Sequence, residues 1–347
     1  MSKRIVFCAD GTWQTPRSNT NVSQLFNGLT TSPDQVKFYE PGVGALDIGI
    51  DHVIAGAFGE GLLQSVKNGY TDFAHTYEKD DDLFLFGFSR GAYTARSVAG
   101  MIAVCGLPTG AFDQHLVDQA FSAYRERDPI RRKAILDSLA DYKLEDCCIR
   151  MVGVFDTVGS LGVPAIFGGI DQSEYAFLDT GLHPNVKNAF QCLAIDERRR
   201  EFPATLWTSA PHPDQTLEQV WFSGCHGDIG GGTPTGGGVD ETTTLSNIPL
   251  AWMLSKAMAL GLVFDAPTTA LAQAPAARFA LDLLHESWKP LYGLPLSRPV
   301  APDSHIANSI QVRITYALTY TPPNLTTQNA TLAPTYTRIN VVDEDAI

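Results

Sequence analysis

With 347 residues, of which 44% are hydrophobic and 18% charged, the chain carries enough apolar material for an extensive core and is not a disordered polymer. Its formal net charge of −13 excludes a binder of nucleic-acid backbones, because nothing would replace the condensed counterions, and it opposes approach to an anionic bilayer except through a local apolar surface. The length fits one large α/β core with insertions rather than two domains, with the core over about 1–265 and a C-terminal extension over 266–347 that is packed on it or partly ordered.

In chain order, 4–9 reads as a buried strand ending in the turn Asp10-Gly11-Thr12-Trp13, followed by a short helix over 21–29 capped by Asn19 or Asn21 and a strand over 35–39. A glycine-punctuated apolar segment over 50–57 precedes 61–77, whose Leu62, Val66, Tyr70 and Phe73 recur at helical spacing. Leu83-Phe84-Leu85-Phe86 then runs into Gly87-Phe88-Ser89-Arg90-Gly91 and a helix to about Val104. Residues 112–142 read as two polar-faced helices parted at Asp128-Pro129, forming an excursion over the top of the core. Residues 148–155 form another strand, 159–169 a Gly/Pro-rich loop, 186–196 a buried helix, 219–223 a strand, and 248–260 a helix with Pro249 in its first turn. Residues 310–321 alternate like a strand, and the tail from 324 is expected to be only partly ordered.

The six cysteines, Cys8, Cys105, Cys147, Cys148, Cys192 and Cys225, form no CxxC pair and no disulfide or zinc spacing, so buried free thiols and a reducing compartment are expected. The apolar run after Lys3-Arg4 is too short for a signal peptide, and no segment approaches the ~18 apolar residues of a membrane span. A cytoplasmic location follows as the expectation, with signal-independent export left open.

Several of these strands end in a small-residue turn that carries one reactive group: Asp10, Ser89, Asp156 and His226. In a parallel sheet such ends lie along one edge, so residues distant in sequence converge. Gly-x-Ser-x-Gly between strand and helix has the pattern of a nucleophile elbow, and the order Ser89, Asp156, His226 is that of an α/β-hydrolase. The structural alternatives are a helix-capping Ser89 and an Asx-turn at Asp156. Of the eight histidines, only His226 follows a strand directly within a glycine-dense loop. Backbone N–H groups of Arg90 and of Gly11 or Thr12 are the expected oxyanion donors. Phe58, Phe167 and Asp10 are expected to line the substrate pocket beneath segments 50–61, 159–169 and 112–142. Asp228 is assigned to holding its own loop through glycine amides, and the cluster 198–200 to a solvated or salt-bridged face.

The stretches Phe7-Cys8-Ala9-Asp10-Gly11-Thr12-Trp13, 87–96, Val154-Phe155-Asp156-Thr157-Val158-Gly159-Ser160 and 221–232 together resemble the α/β-hydrolase family that includes the catalytic domains of type VI secretion phospholipase effectors. The resemblance runs from the first strand to about Leu260. It implies a mostly parallel sheet with helices on both faces, helical or loop insertions over the site, and a serine esterase with Ser89, Asp156 and His226 as its triad. No metal or other cofactor is expected. One departure is Gln191, where a histidine is expected.

The activity expected is hydrolysis of carboxylic esters through an acyl-enzyme, of the lipase, phospholipase or carboxylesterase type. The partners are then a small-molecule or lipid ester and, transiently, a membrane surface, with no nucleic acid. A metal-dependent hydrolase built from Asp10, Asp228 and His226 is the rival enzyme class. A catalytically inactive binding protein on the same scaffold is the rival outside enzymes. Asp10-Gly11-Thr12 is also similar to the start of haloacid-dehalogenase phosphatases, but their nucleophilic aspartate would fall at Cys8.

Overall fold

The structure, a computed structural model, describes residues 2–44, 55–108, 113–142, 144–158, 181–233, 244–275, 277–317, 319–328, 331–333 and 335–344, without the side chains of 55–59, 144, 145 and 328. Eight strands form one sheet: β1 (Arg4–Ala9), β2 (Gln35–Glu40), β3 (Asp82–Phe88), β4 (Ile149–Phe155), β5 (Asn188–Ala194), β6 (Thr216–Phe222), β7 (His305–Ala307) and β8 (Thr337–Ile339). Their spatial order is β8-β7-β6-β5-β4-β3-β1-β2, and every neighbouring pair is parallel. The helices are α1 (Asn21–Gly28), α2 (Ala55–Thr76), α3 (Arg90–Cys105), α4 (Gln114–Arg125), α5 (Pro129–Asp137), α6 (His226–Gly230), α7 (Asn247–Ala259), α8 (Ala266–Gln273) and α9 (Asn308–Tyr316). None of the described helices is long and apolar enough to cross a membrane.

Strands covered on both faces need apolar side chains at consecutive positions, which is why 5–9 and 83–86 read as unbroken apolar runs. Their alternation divides the core. Ile5, Phe7, Leu83, Leu85, Val152 and Val154 pack against α2, α3 and α4. Val6, Cys8, Phe84, Phe86 and Met151 point the other way, onto α1, α7 and α8. The sheet is thus sandwiched by helices, an α/β-hydrolase-like arrangement as expected.

The strand order also places the site. From β1 the chain moves outward to β2, returns across β1 to β3, and thereafter adds strands on the far side. The direction reverses between β1 and β3, and a parallel sheet binds ligands at such a switch point, outside its carboxyl ends. Asp10 and Ser89 follow directly from those two strands.

Several local expectations need correction. Residues 188–194 are strand β5, not helix: the segment pairs with β4 and β6, and that pairing overrides its alanine, leucine and glutamine. Residues 308–316 are helix α9, not a strand, held by Arg313 Nη1 on the carbonyls of Ala280 and Asp282 at 2.7 and 2.8 Å. The cap of α1 is Thr20, whose Oγ1 accepts the Ser23 N–H at 3.0 Å. The helices of 112–142 do not lie over the carboxyl edge. Cys105 Sγ bonds the Ala120 carbonyl, so α4 sits at the end of α3 remote from Ser89. The C-terminal extension contributes β7 and β8 to the sheet itself. Cys148 is the exposed exception among six free cysteines.

Candidate active site

Ser89 stands at the N-terminus of α3 with φ 59° and ψ −120°, on the left-handed side of the backbone map that a β-carbon disfavours. Its N–H is tied to the Phe155 carbonyl at 3.0 Å, which fixes the turn to β4. The flanking glycines are required by close approach. A Cβ on Gly87 would lie 2.3 Å from the Gly91 carbonyl oxygen, and one on Gly91 would lie 2.1 Å from the Ala9 carbonyl oxygen. Strand, turn and helix therefore cross only where no side chain intervenes, and the serine hydroxyl is lifted over the sheet edge.

His226 opens α6, directly after the turn that ends β6, and its ring meets both neighbours. Nε2 lies 2.8 Å from Ser89 Oγ, and Nδ1 lies 2.6 Å from Asp156 Oδ2. The imidazole is packed between Phe88, at 4.8 Å between ring centroids, and the edge of Phe202, at 5.1 Å. Burial lowers the pKa of His226, and the hydrogen bond and charge of Asp156 oppose it without overcoming it, so the ring is held neutral below its ordinary value. Asp156 has φ 43° and no exposed surface. Burial alone would raise its carboxyl, but the Arg298 charge and the His226 hydrogen bond outweigh that and hold it well below the usual carboxylate range.

Arg298 is the main residue that sequence reasoning missed. Its guanidinium bonds both Asp156 oxygens, at 2.6 and 2.9 Å, and also the carbonyls of Ala194 and Phe202. Ala194 N–H adds a further bond to Asp156 Oδ1 at 2.9 Å. The histidine turn is held by two more buried carboxylates. Glu197 Oε2 accepts the His226 N–H at 3.2 Å, while Arg199 and Ser287 bond the same carboxylate. Asp228 accepts the Cys225 N–H at 2.9 Å and binds His285 through Nδ1 at 2.6 Å. Asp228 thus holds its loop, but through Cys225 and His285 rather than glycine amides. Arg198 and Arg199 take the salt-bridged alternative, Arg198 with Glu286 and Arg199 with the unexposed Glu197, and Arg199 also stacks 3.6 Å above Phe202.

The remaining expected residues divide. Gly11 lies against the elbow, with a Cβ there falling 3.5 Å from Ser89 Cβ, but its N–H is donated to Asp10 Oδ1 at 2.7 Å. Thr12, next in the same turn, has a buried Oγ1 with no hydrogen-bond partner among the described residues. Asp10 is not a pocket wall. Only 3% exposed, it spends both oxygens on Gly11 N, Thr20 Oγ1 and Tyr39 Oη at 2.5–2.7 Å, and so fastens the β1 turn. With Asp10 and Asp228 so engaged, the rival metal site is not assembled, and no group of three or more His, Cys, Asp or Glu among the described residues could hold an ion. Phe167 and the side chain of Phe58 lie outside the described residues, as does 159–169. Gln191 is fully buried and accepts hydrogen bonds from Thr157 Oγ1 at 3.0 Å and Arg96 Nη1 at 3.3 Å, bracing the turn that carries Asp156.

Comparison with known proteins gives this geometry a family. Residues 3–256 match the model for the T6SS phospholipase effector Tle1-like catalytic domain. The chain belongs to this family. Within the Tle1-like match lie Ser89, Asp156, His226, Glu197 and Asp228, whereas His285, Ser287 and Arg298 come from beyond it. An uncharacterized yeast protein, YEL023C of Saccharomyces cerevisiae, is 28% identical over 241 residues, covering 60% of this chain and 33% of the yeast protein. The chain thus spans about a third of the length of that curated relative. Among solved structures, the Tle1 effector bound to the VgrG spike from the Type 6 secretion system is 17% identical with TM-score 0.46, over 81% of this chain and 78% of that one. An uncharacterized protein from Pseudomonas aeruginosa is 16% identical with TM-score 0.44, over 78% of this chain and 48% of that one.

Proposed function

We propose that the chain is a serine hydrolase that cleaves the carboxylic esters of phospholipids through an acyl-enzyme. The observation that carries this reading is the unbroken relay Ser89 Oγ, His226 Nε2, His226 Nδ1, Asp156 Oδ2, at 2.8 and 2.6 Å, set on an elbow at the sheet's switch point. Membership of a phospholipase effector family supports the substrate class.

In this mechanism Ser89 Oγ attacks the ester carbonyl carbon as His226 Nε2 takes its proton, and the C=O electron pair moves onto the oxygen. Asp156 keeps Nδ1 protonated and stabilises the imidazolium. The oxyanion is met by the N–H of Arg90, in the first turn of α3 where the helix dipole favours negative charge. Thr12 supplies the second donor, since the Gly11 N–H is engaged by Asp10. Collapse breaks the C–O bond, and the leaving alkoxide takes the proton from His226. Water activated by the same histidine then releases the fatty acid.

The test is hydrolysis of phosphatidylcholine beside p-nitrophenyl esters of graded chain length, with wild type and Ser89→Ala. The reading expects fatty acid release by wild type alone. Cleavage of short soluble esters with none of phospholipid would reduce the function to that of a carboxylesterase, and equal rates in both proteins would remove the serine mechanism.

A further inference from the structure

Residues 282–298 form a strap across the carboxyl-end side of the sheet, and both of its ends are fastened to the site. At one end His285 bonds Asp228 and Ser287 bonds Glu197, and at the other Leu296 N–H meets the Arg198 carbonyl at 2.9 Å and Arg298 clasps Asp156. Between these anchors the chain forms a closed tip whose Trp288 ring lies 5.7 Å from the Arg198 guanidinium. Trp288 Nε1 donates to the Gly293 carbonyl at 3.0 Å, and a 3₁₀ turn spans Pro290–Tyr292. The side chains at this tip are unusual for a soluble surface: Leu291 is 85% exposed, Leu294 76% and Leu296 53%. Single exposed leucines need no explanation, but three within six residues beside a site do.

The chemistry of the tip chooses among occupants. Leucine is under-represented among the residues that anchor protein partners, and the indole N–H of Trp288, a usual anchor, is already turned inward onto Gly293. The charge pattern agrees with a lipid. Glu286 is paired with Arg198 at 3.0 Å, which leaves Lys289 as the net charge of the tip on a chain of −13. The tip is therefore apolar with a single cation, which suits entry into the headgroup and acyl boundary, while the rest of an acidic protein is kept off an anionic bilayer. Trp13, 59% exposed in the turn after β1, adds a fourth apolar side chain on the same carboxyl-end side of the sheet.

We propose that the 288–296 tip docks the protein on a phospholipid bilayer, presenting the Ser89 edge of the sheet to the lipid. The inference rests on the phospholipid reading above but is tested apart from it. In full-length Ser89→Ala protein, whose vesicles keep their esters intact, co-sedimentation with phosphatidylcholine vesicles, with and without phosphatidylglycerol, measures docking alone. Adding Leu291→Asp and Leu294→Asp should weaken it on the order of a hundredfold, from two leucines no longer buried in lipid. The same pair in the Ser89 protein should leave turnover of a soluble short-chain ester within about twofold, since solvent-facing substitutions barely disturb the fold. Vesicle binding by the parent that survives the two aspartates, or no vesicle binding by the parent, overturns the proposal. So does a parent dimer that the aspartates convert to monomer, which would make the tip an interface between two copies. Absence of soluble-ester turnover in the Ser89 protein without the aspartates would instead count against the serine hydrolase reading and leave the docking result standing.

Discussion

The guanidinium of Arg298 lies bidentate on the carboxylate of Asp156, Nη1 to Oδ1 at 2.6 Å and Nη2 to Oδ2 at 2.9 Å, with both residues almost wholly buried. The carboxylate that bonds His226 is thus itself held in place and kept ionised by a fixed cation. Replacing Arg298 by Met leaves a buried charge without its counterion, which is expected to destabilise the fold by about 3–5 kcal/mol. It also removes the cation that opposes protonation of the Asp156–His226 pair, so the acid limb of kcat/KM should move to higher pH. Arg298→Lys retains the charge but not the fork, and should lower kcat with little movement of that limb. The pH profiles of the two variants, read beside their thermal melts, separate positioning from mere stabilisation.

A second pH prediction concerns His226 in the unmodified protein. In the proposed role His226 must be neutral to accept the Ser89 proton, and burial depresses its pKa below the ordinary 6.5. Activity should therefore persist below pH 6.5 and be lost only as pH falls through the depressed value. The same sign governs stability: a folded pKa below the unfolded one stabilises the protein above pH 6.5 and ceases to do so as pH falls. A kcat/KM profile whose acid limb sits above 6.5 would contradict this environment for the ring.

Much of this arrangement was legible in the sequence because the elements that carry it are local. Gly87 to Gly91 specifies its own turn, and unbroken apolar runs announce strands covered on both faces. Asp156 and His226 declare themselves by standing at strand ends. Arg298 left no such signal. It sits in an irregular stretch, Ser-Arg-Pro-Val, and reaches its partner across 142 positions, so nothing in its neighbourhood distinguishes it from a solvated arginine. The confusion of β5 with a helix has a related cause. Asn188–Ala194 holds no β-branched residue, and its extended form is imposed by β4 and β6 on either side. In α9 the reverse holds: Ile310, Val312 and Ile314 alternate like a strand but are all buried, together with Arg313 between them, so no single face marks the helix.

Thr12 is expected to act on the oxyanion, because its hydroxyl is buried without a partner while the neighbouring Gly11 N–H is spent on Asp10. Thr12→Val preserves shape and removes only the hydroxyl. Loss of one such donor lowers kcat by about 10²–10³ with KM little changed. An unaltered kcat would assign the second donor to the main chain of this turn.

The elbow's tolerance for side chains can be tested at Gly91. A Cβ there meets the Ala9 and Asp10 carbonyl oxygens at 2.1 and 2.5 Å, and neither backbone group can move without shifting β1. Gly91→Ala should destabilise the protein by several kcal/mol, at or beyond the usual range of overpacking, and abolish turnover even where the protein is recovered folded. Near-wild-type melting and activity would show that strand and helix are further apart than described.

The central claim is that Ser89 is a nucleophile activated by His226, and covalent labelling tests it most directly. The wild-type protein is incubated with a fluorophosphonate, digested and mapped by mass spectrometry, beside Ser89→Ala and His226→Ala. The account predicts a single stoichiometric adduct on Ser89, none in the Ser89→Ala protein, and labelling slowed by several orders of magnitude in His226→Ala. An adduct on another residue, or labelling of Ser89 at the same rate without His226, would contradict it.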